Sequence, residues 1–188
     1  MQDTVTSSYH KDLNFMDLKD ITDRDEEEEE ILLKHCFNNY ETIKDIYHWL
    51  QGRSRIYPWV DNYTFREQFI KRLGLDDKGS ASMNKVDVIL TQVNFKDRFE
   101  GKIDRKYVDL PKGISRFMFV EILVRIAKFI YSTHEGHTKQ EIVLHKIESN
   151  QKAHQVDRVK VSQAFYAFVN ERLKPFHRDN KIEYNAFR

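Results

Sequence analysis

The chain has 188 residues, with 31 Lys+Arg against 30 Asp+Glu and a formal net charge of +1, which suits one domain or two small lobes and offers no broad cationic surface for nucleic acid or anionic membrane. Only 6 Gly and 3 Pro are present, too few for the turns of an all-β sandwich or for a Gly-rich phosphate loop. The single Cys36 excludes an internal disulfide framework and a multi-Cys zinc site and points to a reducing compartment, while aromatic residues at 13% argue against a chain disordered throughout.

Residues 1 to about 24 read as a polar arm with weak local order, and 25–30 is an acidic run suited to the first turns of a helix, where carboxylates meet the positive end of the dipole. From Ile31 to Leu50 the apolar residues Ile31, Leu32, Phe37, Tyr40, Ile43, Ile46, Tyr47 and Leu50 follow helical spacing, ended by Gln51-Gly52. A basic and aromatic linker follows, Arg53 to Trp59. Asp61 or Asn62 caps the next helix, with Phe65, Phe69, Ile70 and Leu73 as its apolar stripe. Residues 76–82 read as a turn, Met83–Val93 as a helix, and 95–113 as a long charged connection. Ser115 caps the strongest helix, in which Phe119, Ile122, Leu123, Ile126, Ala127 and Ile130 recur at three- and four-residue steps. Further helices are predicted from Lys139 to about Lys152 and from Val159 to Leu173, with a turn at 175–180. The apolar stretch Phe117–Tyr131 is interrupted by Glu121, Arg125 and Lys128 and is short for a bilayer. The N-terminus lacks the apolar run of a secretory signal, so a cytoplasmic protein is expected. The fold class is all-α.

Three helix starts share one pattern: an aliphatic residue, a polar capping residue, three variable residues, then Phe. They are Val60-Asp61 with Phe65, Ile114-Ser115 with Phe119, and Ile182-Glu183 with Phe187. This resembles the second half of the EF-hand of the calmodulin-like superfamily. There the aliphatic residue at loop position 8 forms a small β-bridge with a partner loop, position 9 begins the outgoing helix, and an aromatic at position 13 enters the core. The runs 56–60, 114–117 and 120–127 are further similar to large degenerate EF-hand-like proteins of ciliates and other flagellated protists. The calcium chemistry is missing, because a working loop needs oxygen ligands at positions 1, 3 and 5, Gly at 6 and a bidentate Glu at 12. The first loop would place Arg53, Arg55 and Tyr57 at positions 1, 3 and 5, Pro58 at 6 and Thr64 at 12. The second has Tyr107, Asp109, Pro111, Lys112 and Met118 at those positions, and the third Pro175, His177, Asp179, Asn180 and Ala186. Such hands would be structural.

Other chemistry is sparse. His134 and His137 lie three apart around a helix-breaking Gly136, which is not the His-Glu-x-x-His zinc pattern and reads as a polar loop. Cys36, beside His35, reads as a small buried hydrophobe. Arg53, Arg55, Tyr57 and Trp59 interleave charge with rings, a pattern that can stack bases; near-zero net charge favours a structural reading in which Tyr57 and Trp59 pack between helices and the arginines face water or an acidic partner. No catalytic residues, cofactor site or metal site can be assigned, and an enzyme is not expected.

The expected organisation is an N-terminal arm (1–28), a paired EF-hand-like lobe (29–132) and a C-terminal helical segment with a third, incomplete unit (133–188). The family resemblance implies a non-catalytic, calcium-independent adaptor of a ciliary or flagellar, microtubule-associated assembly, with protein partners, no membrane and no nucleic acid. The alternatives are a calcium-responsive regulator and a nucleic-acid-associated protein. The expected partner-binding residues are Arg53, Arg55 and Trp59 in the first loop, and Phe165, Phe168, Phe176, Tyr184 and Phe187 on a C-terminal patch left open by the unpaired third unit.

Overall fold

A computed structural model describes residues 2–13, 15–16, 18–75, 83–93, 113–132 and 159–180. The predicted turn at 76–82, the connection at 95–112, the helix at 139–152, the His134/His137 pair and the third helix start at Ile182 lie outside these residues. The described residues are helical apart from loops and one two-residue bridge. The helices are α1 (Gln2–Leu13), α2 (Glu26–Asn38), α3 (Tyr40–Gln51), α4 (Asn62–Thr64), α5 (Met83–Val93), α6 (Arg116–Ser132), α7 (Val161–Phe168) and α8 (Lys174–Asp179). Strands β1 (Val60–Asp61) and β2 (Gly113–Ile114) pair antiparallel, Val60 opposite Ile114 and Asp61 opposite Gly113.

Helix α6 is the axis of the fold. Its predicted stripe is buried throughout, Phe119 and Ile126 included, but so are Val120, Glu121 and Val124 on its other side. A helix apolar almost all round belongs at the centre of a bundle, and α6 packs against α1, α3, α5 and α7. Its charged residues reach the rim: Arg125 Nε donates to Glu121 Oε1 at 2.9 Å, and Lys128 Nζ donates to the Ile21 carbonyl at 2.6 Å.

The N-terminal segment departs from the expected weakly ordered arm. It forms α1, whose Tyr9 is buried and donates its hydroxyl to the Leu33 carbonyl at 2.7 Å; Leu18 and Ile21 are buried after it. A half-buried ion pair seats this segment. Arg116, at the start of α6, engages both Asp12 oxygens at 2.6 and 3.1 Å, and the Tyr40 hydroxyl donates to the same carboxylate. Short-range composition could not register that partnership, which spans a hundred residues of chain.

The single helix predicted over Ile31–Leu50 is two. Asn39 leaves helical geometry (φ −114°, ψ 7°), and its Nδ2 donates to the His35 carbonyl at 2.8 Å, closing α2. The break turns α2 so that Glu28, Leu32 and Cys36 face inward, whereas Ile31 and Phe37, expected on the apolar face, are exposed. The acidic run is not wholly solvated either. Asp25 caps α2 through the Glu28 amide at 3.1 Å, while the buried Glu28 carboxylate accepts from the Ser162 amide at 2.6 Å and from its hydroxyl at 3.2 Å, capping α7 from another helix.

Two helices run through π turns. Asp61 caps α4, which continues as a π segment, Phe65–Ile70, and closes with a Schellman arrangement: Gly74 at φ +69° donates to Lys71, and Leu75 donates to Ile70. Likewise α7 passes through a π segment, Val169–Leu173, into α8, so the turn predicted at 175–180 is helix up to Asp179. The Lys174 amide reaches back to the Val169 carbonyl, and this widened turn ahead of Pro175 lets the helix carry a residue that lacks an amide donor.

Candidate functional site

Between α3 and β1 the chain must turn within eight residues, 52–59, to enter the β-bridge, and one carboxylate organises it. Asp61 Oδ2 accepts from the Arg55 amide (2.9 Å), the Ser54 hydroxyl (3.0 Å) and the Thr64 hydroxyl (2.8 Å), while Oδ1 accepts from the Thr64 amide (2.8 Å). Burial acts to raise the Asp61 carboxyl, but these four hydrogen bonds outweigh it and hold the group down at about 2. The buried Tyr47 hydroxyl sits where the two strand-bearing loops meet, donating to the Ile114 carbonyl at 3.1 Å with the Pro58 carbonyl 3.3 Å away. Gly113 is required beside them, since a Cβ there would stand 2.9 Å from Trp59 Cβ and 3.2 Å from Ile56 Cδ1. The Tyr57–Pro58 peptide bond is cis.

This rigid turn displays arginines against aromatic rings. Arg53 lies one helical turn beyond Trp49; its Cζ is 3.8 Å from the indole centroid and its Nη1 donates to the Trp49 carbonyl at 3.0 Å. Arg72, at the end of the π-turn helix, places its Cζ 5.7 Å from the same ring and donates to Asn180 Oδ1 at 2.9 Å. Arg55 covers Tyr63, with Cζ 4.7 Å from the ring. Phe176 meets the Trp49 ring edge-on at 5.5 Å and fixes it in place. Burial and then the charge of Arg72 hold the Arg53 guanidinium below its ordinary value. The nearest acid along α3, Asp45, is engaged by His177 at 3.4 Å. Among the described residues, no carboxylate pairs with Arg53, Arg55 or Arg72. Tyr57 and Tyr63, exposed at 76% and 57%, extend the surface. Tyr57 therefore does not pack between helices as the sequence suggests. Stacked guanidiniums keep most of their N–H groups for a ligand, and exposed tyrosines add contact area at low entropic cost; the combination suits an acidic partner.

The residues expected to bind partners divide into two groups. Arg53 and Arg55 are exposed on this surface, and Trp59 is half-buried against Gly113, where it supports the bridge. Phe165, Phe168 and Phe176 are buried inside the chain and form no open patch. The C-terminal helices fold back, α7 against α2 and α6, α8 against α3, with Phe176 edge-to-face against Phe69 and Trp49. Apolar area of that size is covered most cheaply by the protein's own core. Tyr184 and Phe187 lie outside the described residues. Sequence reasoning missed Trp49, Tyr63 and Arg72. The four-residue step from Trp49 to Arg53 was a legible signal, whereas the approach of Arg72 to Asn180 carries none along the chain.

Elsewhere the chemistry is quiet. Cys36 is fully buried and burial pushes its thiol up to about 12, so it remains a protonated core residue. His35 lies against Tyr166 with the rings tilted at 50° and centroids 5.4 Å apart. Among the described residues no group of three His, Cys, Asp or Glu side chains is placed to hold a metal ion, and no helix is long and apolar enough to cross a membrane. No protein-family model, curated protein or solved structure matches the chain.

Proposed function

We propose that the protein is a non-catalytic adaptor, built on degenerate EF-hand-like helix pairs, that binds an acidic partner protein through the surface of Arg53, Arg55, Arg72, Tyr57 and Tyr63. The observation that carries this reading is the pairing of all three arginines with rings rather than with carboxylates among the described residues. The EF-hand-like part is supported by the antiparallel bridge between Val60 and Ile114, the two residues at loop position 8. It is supported also by the contact of the two position-13 aromatics, Phe65 and Phe119, at 6.2 Å and 89°. In this reading the hydrogen bonds of Asp61, with the Arg53 carbonyl 3.3 Å from Thr64 Oγ1, close the first loop where an ion would otherwise close it. The proposed setting is a ciliary or flagellar, microtubule-associated assembly, a reading that rests on the resemblance to ciliate and flagellate proteins alone.

The test is charge reversal in a tagged full-length chain. Arg53→Glu and Arg55→Glu together are expected to leave the melting temperature within a few degrees and to remove the protein from its native complex and from the cilium. A double variant that still assembles normally sinks the reading. Millimolar calcium is expected to leave the melting temperature unchanged, because a ligand bound only by the folded state must raise it; a clear rise would instead favour a calcium-responsive regulator.

A further inference from the structure

Two guanidiniums lie within 5.7 Å of one indole ring. Like charges gathered in this way are unfavourable unless an anion joins them. Among the described residues no carboxylate joins them: Asp45 meets His177, Asp179 pairs with Arg178 at 3.0 Å, and Glu67 pairs with Lys71 at 2.7 Å. Each guanidinium has five N–H donors. Arg53 directs one to the Trp49 carbonyl and Arg72 one to Asn180 Oδ1, so most of the fork of each is available. Both side chains are nonetheless held, Arg53 by stacking and its carbonyl bond, Arg72 by Asn180, and Trp49 itself by the edge of Phe176. Pre-positioned forks of this kind favour an oxyanion with several acceptor oxygens over a single carboxylate. A phosphoryl group carries about −1.5 to −2 charge and three acceptor oxygens, matching two cations, whereas a carboxylate neutralises one.

We propose that the Arg53–Arg72 pair on Trp49 receives a phosphorylated side chain of the partner protein. The inference rests on the reading of this surface as the docking face and names the group that the face selects. Docking would then be switched by phosphorylation of the partner, with Arg55, Tyr57 and Tyr63 contacting the residues around the phosphate.

The experiment observes the Arg Nε–Hε resonances of the full-length protein by NMR during titration with N-acetyl-O-phosphoserine amide, and in parallel with N-acetyl-glutamate amide and a short oligothymidylate. Phosphoserine amide is expected to shift the Arg53 and Arg72 signals saturably, at least tenfold tighter than the glutamate derivative. Arg72→Lys, which keeps the charge and removes the fork, is expected to weaken that response at least fivefold with an unchanged melting temperature. Equal responses to phosphoserine and glutamate amides would overturn the phosphate inference and leave the acidic docking face intact. No response of either arginine to phosphoserine amide overturns the inference as well, while the charge-reversal assembly assay still decides the adaptor reading. A tighter response to oligothymidylate would reassign the pair to a nucleic-acid backbone and overturn it too.

Discussion

Asp61 shows how one side chain can organise a whole turn. Its carboxylate accepts four hydrogen bonds from three residues and caps the helix that follows. Asp61→Ala is expected to cost about 2 kcal/mol, the loss of a cap together with charged hydrogen bonds, read from chemical denaturation. The pH dependence has a definite sign. The folded carboxyl is held at about 2 against an ordinary value of 3.8, so its contribution is complete above 3.8 and disappears as pH falls through the folded value. Wild type should therefore lose part of its margin over Asp61→Ala between pH 4 and about 2; a constant margin across that window would show that the hydrogen bonds do not hold the charged form. Gly113 acts by size. A methyl group there would stand 2.9 Å from Trp59 Cβ, and Gly113→Ala is expected to destabilise by about 1–3 kcal/mol. A neutral result would mean that Trp59 moves aside without cost.

At the scale of elements, the joints are made by polar groups that reach between helices distant in sequence. Glu28 of α2 caps α7 through Ser162. Asp12, at the end of α1, meets Arg116 at the start of α6 with Tyr40 of α3 beside them. Asp12→Ala would leave the Arg116 charge partly buried without its acceptor, and the expected cost is about 3 kcal/mol. If α1 were only a loosely attached arm, the variant would melt with wild type, and near-ultraviolet circular dichroism of Tyr9 and Tyr40 would be unchanged. Asn39 works at this scale too, since dividing α2 from α3 turns Ile31 and Phe37 out and Glu28 in.

For the whole molecule, the core is continuous from the N-terminal residues Leu18 and Ile21 to Phe176. Phe119 lies at its centre against Tyr47, Phe65 and Phe69, with centroids 5.7, 6.2 and 5.4 Å away. Phe119→Ala is expected to cost about 3–5 kcal/mol, and a loss below half a kcal/mol would mean that the site is not packed as described. The C-terminal helices belong to the same core, so removing residues 159–188 uncovers faces of α2, α3 and α6. The truncated chain is expected to lose its cooperative thermal transition. A truncated protein that melts within a few degrees of the full chain would make the C-terminal segment an independent attachment.

Local pattern determined what local physics controls. Helical spacing specified the stripes of α3, α5 and α6, Asp61 was legible as a cap, Cys36 as a buried thiol, and the repeated aliphatic-cap-Phe starts singled out Val60 and Ile114, which pair. Arg53 and Arg55 were legible as exposed because long charged side chains in a turn have no cheaper place than solvent. The fate of Phe165, Phe168 and Phe176 was not legible, because an apolar stripe states that it will be covered without stating by what. The same holds for α1, read as a weakly ordered polar arm: its seat depends on Arg116, and the worth of a carboxylate depends on the partner that folding brings to it. Tertiary structure alone brought Arg72 and Phe176 to Trp49 and so assembled the arginine–aromatic surface, since contacts between separate helices leave no periodic trace along the chain.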